Sequence, residues 1–482
     1  MAPNRIIIDT DPGVDDVLAM LLAFSATRDE VEVVMLSLTF GNVKVQDCLR
    51  NVVTLFQYIE KERAWRRDHG RPEGFEALLA RKPIVAVGAE EPLAEQMMVA
   101  DCFHGIDGLG GIYHSHPHLT PAETWKSLFA PTPNNVTPEV TAELQKVKDE
   151  HSLFTPSLKP AHEEMLQILR DNDPDTITIV AIGPLTNLAI AAATDPEAFL
   201  RVKEVVVMGG AIDAPGNMGL QPPNLALINS PSVTCIAVPN FNLIKQPDTP
   251  LRRMLNERNQ ITPGAEFNTY ADSIASARVF ALTSPNPRTT MPPVLSGKGQ
   301  LPAYPEKLSR QLKLKLFPLD ITSPHLLPHS LFTTHTTSPA LSTSPLAFWT
   351  TLFLTATYAK ILSLSPPNTD PETLGLELHD PLPIWYCLTS TFSSAPETAR
   401  WEFTAGEDIR VETAGQWTRG CCIVDRRGRE VKLRTGDVDA DVVGDAGGWG
   451  DERRRNRVER CVGSPWIEGF AGELLGRVFG EV

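Results

Sequence analysis

At 482 residues, 42% of them hydrophobic and 21% charged, the chain has the composition of an ordinary globular protein and enough material for one large α/β domain. Its 44 basic and 59 acidic side chains leave a formal charge of −15. That argues against a nucleic-acid-binding face, where cations supply most of the affinity, but not against an uncharged small molecule. Seven cysteines, at 48, 102, 235, 387, 421, 422 and 461, are odd in number and show no C-x-x-C spacing, so neither a disulfide framework nor a zinc site is indicated.

The chain passes from Met1-Ala2-Pro3-Asn4-Arg5 directly into an apolar run, with no signal-like stretch before it. No window of about twenty apolar residues follows, so a cytoplasmic protein without a membrane span is expected. Apolar, β-branched runs at 5–8, 33–38, 83–87, 176–181 and 204–208 suit strands buried on both faces, the pattern of a parallel sheet. Helical stretches at 15–26, 46–60, 162–170 and 185–193 lie between them. The alternation predicts βαβ units: a Rossmann-like, mostly parallel central sheet flanked by helices. Polar turns close the runs, among them Asp9-Thr10-Asp11, Thr39-Phe40-Gly41-Asn42, Gly183-Pro184-Leu185-Thr186-Asn187, Met208-Gly209-Gly210 and Leu319-Asp320-Ile321-Thr322. In a parallel sheet these ends share one edge, so the active site is expected at the carboxyl ends of the strands. The reading is one domain over 1–482, with irregular insertions at about 60–82, 115–160, 218–260 and 427–458. In the last of these, acids flank Arg453-Arg454-Arg455, which favours a solvated face over a basic patch.

The segment Ile8-Asp9-Thr10-Asp11-Pro12-Gly13-Val14-Asp15-Asp16 is the most informative. A helix cap explains one or two of its acids, because the helix dipole favours negative charge there. It does not explain Asp9 and Asp11 at a strand end. Four carboxylates so close together repel unless a cation neutralises them, and hard oxygens without histidine or cysteine point to Ca²⁺ or Mg²⁺.

Here the chain resembles the inosine–uridine-preferring nucleoside hydrolase family. The family's Asp-Thr-Asp-Pro-Gly-x-Asp-Asp stands intact at 9–16. It is followed in order by Gly41-Asn42, His104-Gly105, Gly183-Pro184-Leu185-Thr186-Asn187, Met208-Gly209-Gly210, Gly216-Asn217, Glu266-Phe267-Asn268, Leu319-Asp320-Ile321-Thr322 and His379-Asp380-Pro381-Leu382. The resemblance implies a Ca²⁺ site made by Asp11, Asp16, Asp380 and the main-chain carbonyl of Ile182. It implies ribose contacts from Asp15, Asn42, Asn217, Glu266 and Asn268, with Phe267 in the same motif and Met208 packed near the sugar. The reaction implied is hydrolysis of a ribonucleoside to free base and ribose, a step that needs an activated water and help for the leaving base. Ca²⁺ acidifies its bound water, Asp11 takes the proton as general base, and His379 is the candidate acid for the departing base. His104 could line the base pocket, although a lone histidine is more often packed or solvated. A nucleoside is the expected partner, and a homo-oligomer follows from the family's habit.

The chain departs from the family pattern between Asn217 and Glu266, where residues 218–260 carry six prolines and only two acids. Two readings therefore stand beside the active enzyme. One is a catalytically impaired nucleoside-hydrolase-like binding protein whose pocket the insert disrupts. The other is a phosphohydrolase of the haloacid-dehalogenase type, which wants Thr or Val where Gly13 stands and has no use for Asp15-Asp16 or His379-Asp380.

Overall fold

The computed structural model describes residues 2–94, 103–131, 137–217, 262–292, 301–390, 400–438, 440 and 442–480. The expected insertion at 218–260 lies outside the described residues. In chain order the strands are β1 (Asn4–Thr10), β2 (Val31–Leu38), β3 (Ile84–Val87), β4 (Thr155–Pro156), β5 (Ile177–Ala181), β6 (Glu204–Met208), β7 (Leu314–Phe317), β8 (Leu326–Pro328), β9 (Gly375–Glu377), β10 (Glu402–Phe403), β11 (Arg410–Val411), β12 (Cys422–Ile423) and β13 (Glu459–Gly463). Nine of them form one sheet in the order β10-β13-β7-β6-β5-β1-β2-β3-β4. Every pairing in it is parallel except β10 with β13. The expected mostly parallel α/β sheet is therefore the observed one.

Continuous apolar strands follow from burial on both faces. Along β1, Ile6 and Ile8 join one hydrophobic cluster and Ile7 the other; along β6, Val206 faces the first cluster while Val205 and Val207 face the second. Helices α1 (Val14–Ser25) and α2 (Val45–Asp68) supply side chains to the first cluster, and α3 (Ala161–Asp171) and α4 (Thr186–Thr194) supply the second. Beyond these come α5 (Phe267–Ala271), α6 (Ser273–Ala281), α7 (Pro345–Leu364), α8 (Pro381–Thr389) and α9 (Phe470–Phe479). Both outermost strands, β4 and β10, are only two residues long, and β4 ends in a proline. Short, proline-marked edges discourage pairing with another chain.

The charged stretch after residue 60 continues α2 to Asp68. Its Glu62 is fully buried: it accepts from Arg66 Nε at 2.8 Å and from Ser344 Oγ at 2.6 Å, while Arg66 donates to the Val478 carbonyl at 2.6 Å. This buried pair ties α2 to the start of α7 and the end of α9. Among the described residues, no helix is long and apolar enough to cross a membrane.

Candidate active site

Strand β1 is central, so its end opens between the ends of β2 and β5. In register, Asp9 lies opposite Ser37 of β2 and Ala181 of β5. Asp9 is fully buried; Ser37 Oγ donates to its Oδ2, as does Asn187 Nδ2 at 2.9 Å. Burial nevertheless raises its carboxyl to about 7, against the pull of those two hydrogen bonds. Asp9 thus belongs to the floor beneath the site.

Asp11 follows β1 and is fully buried. Its Oδ2 accepts from the backbone N–H of Asn42 at 2.6 Å, while Oδ1 has no hydrogen-bond partner. Glycine on both sides makes room: a Cβ at Gly41 would stand 1.9 Å from Oδ2, and one at Gly183 2.5 Å from Oδ1. Asp15 and Asp16 open α1, where the free N–H groups favour anions. Asp16 accepts from Thr10 Oγ1 at 2.6 Å, from Gly13 N at 2.9 Å and from Asn42 Nδ2 at 2.9 Å. Asp380, at the start of α8, closes the cage from far along the chain. Oxygens of Asp15, Asp16 and Asp380 lie within 4.8 Å of one another.

Burial is the first cause that raises the carboxyls of Asp11, Asp15, Asp16 and Asp380; repulsion from neighbouring carboxylates adds to it at Asp11, Asp15 and Asp380, while hydrogen bonds from Thr10 and Gly13 temper it at Asp16. Asp11 and Asp380 end well above the usual range and Asp15 at about 7. Among the described residues no lysine or arginine pairs with any of the four, and the buried Oδ1 of Asp15, like that of Asp11, has no hydrogen-bond partner. Unsatisfied buried carboxylate oxygens that repel one another fit a hard cation, and the cluster could hold a metal ion. The geometric cluster contains Asp15 beside Asp16 and Asp380, while Asp11 borders it through Asn42, which also donates to the Asp11 carbonyl at 3.2 Å. The Ile182 carbonyl accepts from Asn268 Nδ2 at 3.0 Å.

The neighbouring wall comes from the ends of β6 and α5. Glu266 caps α5, accepting from Asn268 N at 2.7 Å and Thr269 N at 2.9 Å, and it also accepts from Gly210 N at 2.8 Å. Asn217 Oδ1 accepts from Phe267 N at 2.9 Å, so the motifs on either side of 218–260 meet. Asn268 Nδ2 also reaches the Met208 carbonyl at 3.3 Å and its sulfur at 3.5 Å.

His379 is held at both ring nitrogens: Nδ1 lies 2.8 Å from Thr322 Oγ1, and Nε2 lies 2.8 Å from Glu377 Oε2. Burial, the largest single influence, disfavours its cation, yet the carboxylates of Glu377, Asp15 and Glu266 together leave its pKa raised. His104 goes the other way. Burial, then the nearby His379, lower it to about 3, so it is neutral and its Nδ1 accepts from Val14 N at 3.1 Å. Its visible work is at the start of α1, 3.8 Å from Asp15. Sequence reasoning missed Glu377. The available signal was its position two residues before His379, at the end of β9, the strand that runs into the His-Asp pair.

A parallel sheet with a buried, metal-competent carboxylate cage and an Asn/Glu wall at its carboxyl edge defines an α/β protein with a small-molecule site. The profile of the inosine-uridine preferring nucleoside hydrolases matches residues 6–447, and the chain belongs to that family. It is 34% identical over 216 residues to a probable uridine nucleosidase 1 of Oryza sativa subsp. japonica, covering 45% of this chain and 49% of that one. The chain thus spans about half the length of the first curated relatives it matches. Against a pyrimidine-specific ribonucleoside hydrolase RihA of Klebsiella pneumoniae subsp. pneumoniae, identity is 25% over 424 residues, covering 87% and 88% of the two chains. A solved plant nucleoside hydrolase superposes with a TM-score of 0.57 at 20% identity, covering 99% of this chain and 100% of its own, which establishes likeness of fold.

Proposed function

We propose that this chain hydrolyses the N-glycosidic bond of ribonucleosides, releasing free base and ribose, with Ca²⁺ as its resident ion. The observation that carries the reading is the buried cage of Asp11, Asp15, Asp16 and Asp380, with orphaned oxygens and no lysine or arginine partner among the described residues. Asp11, Asp16, Asp380 and the Ile182 carbonyl are the ligands we assign. The ion, when bound, supplies a Lewis acid that makes a nearby water easier to deprotonate. Asp11 accepts that proton as general base. Asp15, Asn42, Asn217, Glu266 and Asn268 hold the ribose hydroxyls and fix the reactive carbon, with Met208 against the sugar. His379, whose cation the neighbouring Glu377 favours, donates a proton to the departing base, and Phe267 and His104 border the base.

The contact of Asn217 with Phe267 supports an intact clamp over the reading of a pocket disrupted by residues 218–260. Names among the relatives point to uridine and other pyrimidine ribonucleosides as the first substrates to try. The test is a panel of ribonucleosides assayed for free ribose, with and without a chelator. Ribose release that stops on chelation and returns with Ca²⁺ is expected; no release from any nucleoside overturns the proposal.

A further inference from the structure

Asp320 has no part in the chemistry above, yet its carboxylate accepts three consecutive backbone N–H groups. Ile212 N lies 2.9 Å from Oδ2, and Asp213 N and Ala214 N lie 2.6 Å and 3.2 Å from Oδ1. These residues lead through Pro215 and Gly216 to Asn217. The same loop is gripped on its other side, where Gly210 N donates to Glu266 Oε2 at 2.8 Å and Leu319 N donates to the Gly210 carbonyl at 2.9 Å. Arg460 of β13 adds a brace: Nη1 lies 3.2 Å from Asp213 Oδ2 and 4.0 Å from Asp320 Oδ1, and Glu407 holds its guanidinium at 2.7 Å and 2.9 Å. Arg426 also pairs with Asp213.

A carboxylate that collects successive N–H groups forms charge-assisted bonds and fixes the backbone of every donor. Here that backbone carries one half of the ribose clamp. The sequence puts 43 residues, 218–260, between Asn217 and the segment that leads to Glu266. A short covalent link cannot set the spacing of the two halves, so the non-covalent grip must. Arg460 reaches the same loop from β13, so the C-terminal strand adds a support to the site.

We propose that Asp320 is a positioning residue for ribose recognition, acting through the 212–214 backbone on Asn217, with Arg460 as its brace. This rests on the proposed ribonucleoside substrate. The test compares kcat/KM for a ribonucleoside with that for its 2′- and 3′-deoxy analogues. Where an analogue turns over too slowly, its inhibition constant is used. In Asp320→Asn the ribonucleoside value falls by about ten- to a hundredfold, the scale set by displacing a positioning group, while at least one deoxy analogue changes far less. Asn217→Ala removes the same discrimination, and combining the two adds little, because both act on one contact. Arg460→Gln shifts the ratio in the same direction by a smaller factor, and it serves as the reporter if Asp320→Asn fails to fold.

Hydrogen exchange at amides 212–214 rises in Asp320→Asn. Equal losses on ribo- and deoxy-substrates, an additive double variant, or unchanged exchange overturns the inference. A wild type that releases no ribose overturns the proposed function instead, and the role of Asp320 in ribose recognition with it; the exchange experiment then still decides whether Asp320 anchors the loop.

Discussion

Asp425 and Asp451, in the C-terminal segment, each face an arginine: Arg427 Nε at 2.7 Å and Arg453 Nη2 at 2.8 Å. Those hydrogen bonds hold both carboxyls below the usual range, Asp425 at about 2. At the carboxyl edge of the sheet, Asp11, Asp15, Asp16 and Asp380 are buried, face one another, and are pushed up instead. One residue type thus behaves in two ways inside one chain. Where acids are paired with arginine, as in the half-exposed Asp425–Arg427 and the buried Asp451–Arg453, the counter-charge accounts for the carboxylate, and the more exposed of such pairs contributes little. Where several acids are buried together without a lysine or arginine, the fold bears a cost that a bound cation or a proton relieves, the pattern expected of a functional site.

The sharpest way to break this contrast is to remove one acid of the cage. Asp11→Asn and Asp380→Asn should abolish ribose release, and calorimetry should find Ca²⁺ affinity reduced in both; full affinity would remove these residues from the ligand set. His379→Ala should slow natural nucleosides by roughly two to four powers of ten, the span of general acid catalysis. A nitrophenyl riboside, whose leaving group needs no proton, should lose far less; equal losses would make His379 structural.

Next in size is pH. Asp9 and Asp15 are raised from 3.8 to about 7. Between those values the folded, ion-free protein holds protons that the unfolded chain has released. These groups therefore favour folding fully below about pH 4 and lose that contribution as pH rises to about 7. Melting temperatures measured in chelator should fall across this window, and the gain on adding Ca²⁺ should grow across it; a flat gain would mean the ion does not replace those protons.

Excising 218–260 should keep or raise activity, because Asn217 and Phe267 already touch across the gap. Loss of folding on excision would make the segment integral. The smallest effect belongs to the surface: Arg427→Ala should leave melting temperature and turnover unresolved from wild type.

The contrast between paired and unpaired acids was half legible in the sequence. The acids flanking Arg453-Arg454-Arg455 read as a solvated face; the arginine pairing is there, but Asp451 and Arg454 are buried, because packing of the C-terminal segment covers them. The crowding of Asp9, Asp11, Asp15 and Asp16 already asked for a cation, because those residues are neighbours in the chain and their repulsion is local. Glu62 and Arg66 show where composition misleads: a charge run looks solvated, and only packing against Ser344 and the Val478 carbonyl buries it.

By itself the sequence determined strands β1, β2, β3, β5 and β6, helices α1 to α4, and the family, since hydrophobic period, turn chemistry and motif order are all written within short stretches of chain; it did not show β7 or the long helix α7. Tertiary structure alone decided the rest. It brought Asp380 to Asp15 and Asp16, laid the Asn268 amide on the Ile182 carbonyl 86 positions away, and set Glu377 against one nitrogen of His379 and Thr322 against the other. It also placed Asp320 under a loop more than 100 positions earlier. Apart from Glu377, which sits two residues before His379, these contacts depend on the order in which parallel strands pack side by side, and no local pattern in the chain encodes that order.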